Sequence, residues 1–316
     1  MSTPDAPLAA APAAPAHAIT TGGGRRWVGW FHLGVLYVVW STTYLAIRLA
    51  VEEGSGFPPF GMAATRLVVA GAFLFAVAAV MRRPMAISRR DLYILTGAAI
   101  LLWLGGNGLV TWAEQVADSG YAALLVGAMP IWTSVIEAVI DRRLPSGRVM
   151  LALAAGFAGV GVLTVPALRD ATITDALPVI ALLLAPLSWG AGAVLQSRRK
   201  PHAAPVVSAA WQQLLGGLIV GVFALALREP APDPTPVAFW AWAYLAIVGS
   251  LAFLSFVQAL KMLPARYVMT YAYVNPVGSA LLGWLILGEP ITGWTIGGAL
   301  LVLVGVAGVF RERYAA

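Results

Sequence analysis

Ten apolar runs follow one another along the chain, each close to the roughly 20 residues that a helix needs to cross about 30 Å of hydrocarbon. They cover residues 30–49, 60–80, 92–114, 121–140, 148–166, 178–196, 207–227, 238–258, 267–287 and 291–310. Inside a bilayer every backbone N–H and C=O needs an internal partner, so runs of this length fold as helices. The links between them are too short to hold a soluble catalytic domain. A chain that is 60% hydrophobic and 11% charged, with a mean hydropathy of +0.82, agrees with that reading. The sequence therefore predicts an all-α integral membrane protein with ten transmembrane helices.

Residues 1–29 stand apart. Ala, Pro, Ser and Thr dominate up to Thr21, and Gly22, Gly23 and Gly24 follow, a composition that cannot bury a core. A disordered cytoplasmic tail is expected. It lacks the cationic start and apolar block of a signal peptide.

Charge placement orients the runs, because cytoplasmic loops retain Lys and Arg. With the N-terminus inside, sixteen of the 20 Lys and Arg residues fall in cytoplasmic segments, among them Arg82, Arg83, Arg142, Arg143, Arg198, Arg199 and Lys200. Arg48, Arg169 and Arg228 fall outside, and Arg66 lies within a run. Removing one run would scramble every later loop, so the asymmetry supports ten runs and two cytoplasmic termini. The acidic residues Glu52, Glu114, Asp118, Glu229 and Glu289 all fall on the outer side. The net charge of +6 thus reflects loop placement, and no nucleic-acid partner is expected.

The chain also reads as duplicated. A shift of 146 to 149 residues places Trp40 on Trp189, Gly71 on Gly217, Tyr121 on Tyr267, Pro130 on Pro276, Gly147 on Gly293 and Gly159 on Gly305. What gives this weight is Pro and Gly recurring at equivalent depths. Residues 30–166 and 178–310 are then two repeats of five helices each. An odd number of spans puts the second repeat into the membrane upside down, and inverted repeats build a site between the halves with alternating access.

Several runs carry polar side chains on one helical face. In the ninth, Tyr267, Tyr271, Asn275 and Ser279 fall four apart, beside Pro276, which cannot satisfy the carbonyl of Ala272. In the third, Trp103, Asn107, Thr111 and Glu114 share a face, with Gly105, Gly106 and Gly108 around Asn107; close helix packing explains those glycines more simply than unwinding does. A mid-membrane amide needs partners in another helix or in a wet cavity. The first run places Tyr37, Trp40, Ser41 and Tyr44 on one side, and Trp40 and Trp189 are both central enough to face a shared cavity.

Trp40, Tyr44, Asn107, Thr111, Trp189, Tyr271 and Asn275 are accordingly the expected solute-binding residues. Three charged residues remain for ion coupling or charge pairing. Arg66 and Glu114 lie at similar depths, where pairing between the second and third helices and anion binding are both open. Glu137, one turn from the cytoplasmic end of the fourth run, reads either as a paired helix-end residue or as a proton-coupling group.

Other chemistries are unsupported. The chain has no cysteine, and His17, His32 and His202 are scattered, so no metal site is expected. No phosphate loop of the form G-x-x-x-x-G-K-S/T, no H-E-x-x-H and no G-x-S-x-G occurs. No cofactor is expected.

Thr270–Pro276 (T-Y-A-Y-V-N-P), Gly288–Pro290 (G-E-P) and the Gly-rich last run resemble the second EamA-type repeat of the drug/metabolite transporter superfamily. Val39–Tyr44 (V-W-S-T-T-Y), Arg66 and Gly106–Glu114 (G-N-G-L-V-T-W-A-E) are similar to the first half of such inner-membrane permeases. The resemblance covers about residues 30–310. It implies a ten-helix secondary transporter of the bacterial inner membrane that exports or exchanges small organic metabolites, such as amino acids or amphipathic drugs. The expected partners are the lipid bilayer and a small-molecule solute, with a homodimer left open. An intramembrane enzyme acting on a lipid-linked substrate, which would need the Arg66 and Glu114 region as its acid/base pair, and a passive channel are the alternatives.

Overall fold

The computed structural model describes residues 23–168, 173–263, 268 and 271–313. Among them, regular structure is helical throughout. The helices are α1 (Gly23–Val51), α2 (Pro59–Val80), α3 (Arg89–Ala99), α4 (Leu109–Ala113), α5 (Ser119–Val126), α6 (Met129–Asp141) and α7 (Gly147–Leu168) in the first half. The second half holds α8 (Ile173–Arg198), α9 (Pro205–Ala226), α10 (Pro236–Met262), α11 (Tyr271–Leu282) and α12 (Gly293–Arg313). Among the described residues, eight helical stretches are long and apolar enough to cross a membrane, and two shorter apolar ones, Val274–Leu287 and Gly293–Gly308, follow them. Proline opens α2, α9 and α10, where its missing N–H costs nothing. Ser88 caps α3 by accepting from Asp91 N at 3.0 Å.

Three boundaries differ from expectation. Helix α1 already includes Gly23, the first of the described residues, so part of the expected tail is helical; Gly29 packs there against Leu263, where an added Cβ would come within 2.8 Å of Cγ. Residues 1–22 lie outside the described residues, as does Tyr267. The third run is interrupted by a π-helical stretch, Ile100–Gly108, that contains all three glycines around Asn107. The fourth is broken at Gly127 and Ala128, just before Pro130, and Gly127 lies against Pro276 of α11: a Cβ there would sit 2.7 Å from Pro276 Cγ.

Packing runs between the halves. Helix α2 lies along α9 and α7 along α12; α1 packs on α10 and α11, while α3, the π-helical stretch, α4 and α6 pack on α8, and α5 packs on α11. Glycines allow the closest crossings. A Cβ on Gly71 would lie 2.8 Å from Leu214 N, one on Gly217 2.8 Å from Val68 N, and one on Gly305 2.5 Å from Gly156 Cα.

Carboxylates clip these pairs together. A helix start leaves N–H groups without intrahelical acceptors and carries partial positive charge. Glu229, just past α9, accepts from Phe60 N at 3.1 Å and Gly61 N at 2.7 Å at the start of α2. Asp91 of α3 reciprocates on the turn entering α9, accepting from His202 N at 3.1 Å and Ala203 N at 3.3 Å. Glu289 accepts from Ser119 N and Ser119 Oγ at 2.7 Å and from Gly120 N at 2.9 Å at the start of α5.

Candidate functional site

A cavity of about 110 Å³ lies where α1, α2, the π-helical stretch, α5, α8, α10 and α11 meet. Its walls are mainly aromatic. The Trp40 ring meets Tyr271 edge-on at 4.7 Å between centroids and Trp189 at 6.5 Å; Trp189 meets Trp103 at 5.8 Å, and Trp103 meets Phe253 at 5.1 Å. These are the edge-to-face contacts that aromatic quadrupoles favour.

Glycine makes room for the rings. Gly106 faces Trp189, whose Cε3 would be 3.0 Å from an added Cβ, and Gly216 of α9 faces Trp103, whose Cδ1 would be 2.6 Å away. Beside them the Ser188 hydroxyl donates to Leu101 O at 2.8 Å, satisfying a carbonyl in the π-helical stretch.

Polar groups are few and placed on the same walls. Arg66, 6% exposed, donates from Nη2 to Asn107 Oδ1. Thr111 approaches the same oxygen at 3.4 Å from behind and does not line the cavity. Asn275 is buried, with its Oδ1 3.5 Å from the Ser41 hydroxyl, which itself donates to Tyr37 O at 2.6 Å. Ser279 ties α11 to α1 by donating to Ser41 O at 2.8 Å.

Six of the seven expected solute-binding residues therefore meet at one cavity: Trp40, Tyr44, Asn107, Trp189, Tyr271 and Asn275, with Arg66 beside them. Trp103 and Phe253 also line it and were not among the expected set. Trp103 shares the helical face of Asn107, which is a usable signal; Phe253 has no polar neighbour at helical spacing to mark it.

The charged residues separate. Glu114 is fully buried behind the cavity and forms no ion pair with Arg66 among the described residues. Asn107 takes the guanidinium instead. Glu114 sits at the end of α4, beyond the cavity wall, with both carboxylate oxygens buried and without a hydrogen-bond partner among the described residues. Arg48 Nη1 donates to the backbone carbonyl of Glu114 at 2.7 Å.

Glu137 does not line the cavity; it is half-buried on α6 within electrostatic reach of Arg198, which bonds Asp141 at 2.7 Å. Glu137→Gln is expected to leave solute exchange largely intact. Flux in proteoliposomes with and without an imposed pH gradient checks this, and loss of gradient-driven uptake with counterflow preserved would make Glu137 the coupling group.

Near the starts of α5 and α12 a second cavity of about 380 Å³ is lined by Asp118, Tyr121, Glu289 and Trp294. Burial, and then the neighbouring Glu289 carboxylate, push Asp118 above the usual carboxylate range, with Arg48 opposing.

The model of the EamA-like transporter family matches residues 27–165 and again residues 176–311. The chain belongs to the EamA-like transporter family. Among its relatives, the "Uncharacterized inner membrane transporter YedA" of Escherichia coli (strain K12) is 31% identical over 268 residues, 82% of this chain and 83% of that one. The "Uncharacterized transporter YoaV" of Bacillus subtilis is 25% identical over 278 residues, 87% of this chain and 94% of its own length. A solved structure, titled only "Crystal structure of protein", superposes with a TM-score of 0.65 at 21% identity over 92% of this chain and 99% of that one. That likeness concerns the fold. Membership in the EamA-like family makes this chain a membrane transporter, and its transmembrane helices enclose the aromatic cavity.

Proposed function

We propose that the protein is a secondary transporter of the bacterial inner membrane that exports or exchanges small organic metabolites, such as amino acids or amphipathic drugs, by alternating access. The observation that carries this reading is the cavity between the halves, where Trp40 and Asn107 from the first half meet Trp189 and Asn275 from the second. Rings supply apolar contact and the two amides orient a solute. Two shorter apolar helices complete ten spans, arranged as inverted repeats over 30–166 and 178–310, with both termini cytoplasmic. The matched pairings of α1 with α10 and of α3 and α4 with α8, and the reciprocal clips of Glu229 and Asp91, support that symmetry. Inner-membrane placement follows the name of the Escherichia coli relative.

The separation of Glu114 from Arg66 disfavours an intramembrane enzyme, which has no other acid/base pair to use on these walls. A metabolite efflux screen, comparing cells with and without the protein, tests the reading. Accumulation of a defined set of small organic solutes outside the producing cells is expected. Identical media would contradict it.

Topology has its own test, because the chain lacks cysteine. Leu144 and Glu53 are both exposed, and Glu53 avoids the strain of neighbouring Gly54, whose φ is +84°. Leu144→Cys is expected to react only from the cytoplasm, and Glu53→Cys with an impermeant maleimide added to intact spheroplasts. Labelling of both from one side would refute ten spans.

A further inference from the structure

We propose that Arg66 is the anion-binding group of the central cavity, and that the solute is a flat apolar body carrying one carboxylate. This rests on the reading of that cavity as the transport site. Arg66 is permanently charged, has five N–H donors and no acceptor. It lines the cavity while almost wholly buried, and its Nε has no hydrogen-bond partner among the described residues. No described carboxylate bonds it. Buried Glu114 interacts with it electrostatically but without contact, and a buried charge without an opposite charge in contact is costly, a cost that an anion entering the cavity relieves.

The bond to Asn107 adds a second argument. A guanidinium cannot accept, so the Asn107 atom facing Arg66 must be the oxygen, and Thr111 approaches the same Oδ1. The amide NH₂ is thereby left as the free end of a side chain that lines the cavity. Arg66 and Asn107 together offer donors, which suits a carboxylate and gives a hydroxyl or amide less.

Net charge and wall chemistry narrow the class further. Aromatic faces alone would welcome an amine through cation–π attraction, but a guanidinium on the same wall repels one. Trp40, Trp103, Trp189 and Tyr271 match a planar or apolar body. One guanidinium against walls that carry no second cation fits a monoanion better than a multiply charged phosphate.

The test is equilibrium dialysis of the purified full-length protein against 3-phenylpropionate, 3-phenylpropanamide and 3-phenylpropylamine, three probes of one shape with charges of about −1, 0 and +1 near neutral pH. The carboxylate is expected to bind about 10- to 100-fold more tightly than the amide, with the amine weakest. Arg66→Gln is expected to remove the preference for carboxylate over amide. The comparison within the wild-type protein does not depend on that variant folding. Tighter or equal binding of the amide or amine overturns the anion anchor and leaves the transporter reading standing. Binding of none of the three overturns the anchor together with the assignment of this cavity as the solute site.

Discussion

Glu289→Ala is expected to lower the stability of the purified protein by about 2–6 kcal/mol, the cost of leaving two buried backbone donors without an acceptor. The carboxylate is 9% exposed and accepts from Ser119 N, Ser119 Oγ and Gly120 N, so truncation strands two backbone donors at the start of α5. Each stranded buried donor costs about 1–3 kcal/mol. Loss of the negative charge also removes its interaction with the positive end of that helix. Glu289→Gln keeps one accepting oxygen and should fall between the two. Thermal melts of the three proteins in one detergent decide it; a Glu289→Ala melt matching the wild type would mean that α5 is held by packing alone.

The second large effect is on binding. Asn107→Ala and Asn275→Ala are each expected to weaken solute binding by roughly 2- to 100-fold, from about 0.5–3 kcal/mol per oriented hydrogen bond. Asn107→Ala belongs at the upper end, because it also deprives Arg66 of its acceptor. Ser279→Ala should matter less, since that hydroxyl is already committed to Ser41 O and faces the α1–α11 contact. Binding assays run beside thermal melts separate the roles. Normal binding by either Asn variant would make that side chain a helix-packing group.

The helices and the cavity were legible for different reasons. Span lengths follow from hydrocarbon thickness, so apolar run length located nearly every helix. Helical spacing then grouped Trp40 with Tyr44 and Tyr271 with Asn275 correctly, because α1 and α11 are uninterrupted around them. It failed for Glu114, because similar depth on neighbouring helices does not decide which polar group meets Arg66, and Asn107 takes the guanidinium.

Long-range clips were invisible for another reason. Gly288–Pro290 stood out as a motif, but the role of Glu289 depends on a helix start 170 positions away, which no local pattern encodes. Glu229 and Asp91 are similar: one follows a helix and the other lies in a helix's first turn, and only the fold shows which N–H groups they meet. Phe253 joined the cavity through the packing of α10, for which its apolar surroundings gave no sign.

Thr43 lines the cavity, is half-buried and keeps its hydroxyl on Trp40 O at 2.9 Å, so it can report on access without removing a proposed solute contact. In this cysteine-free chain, Thr43→Cys should react with an impermeant maleimide both in spheroplasts and in inside-out vesicles, and modification should abolish trans-stimulated solute exchange. Reaction from one face only, or modified protein that exchanges at the unmodified rate, would contradict a central cavity that opens to each side in turn.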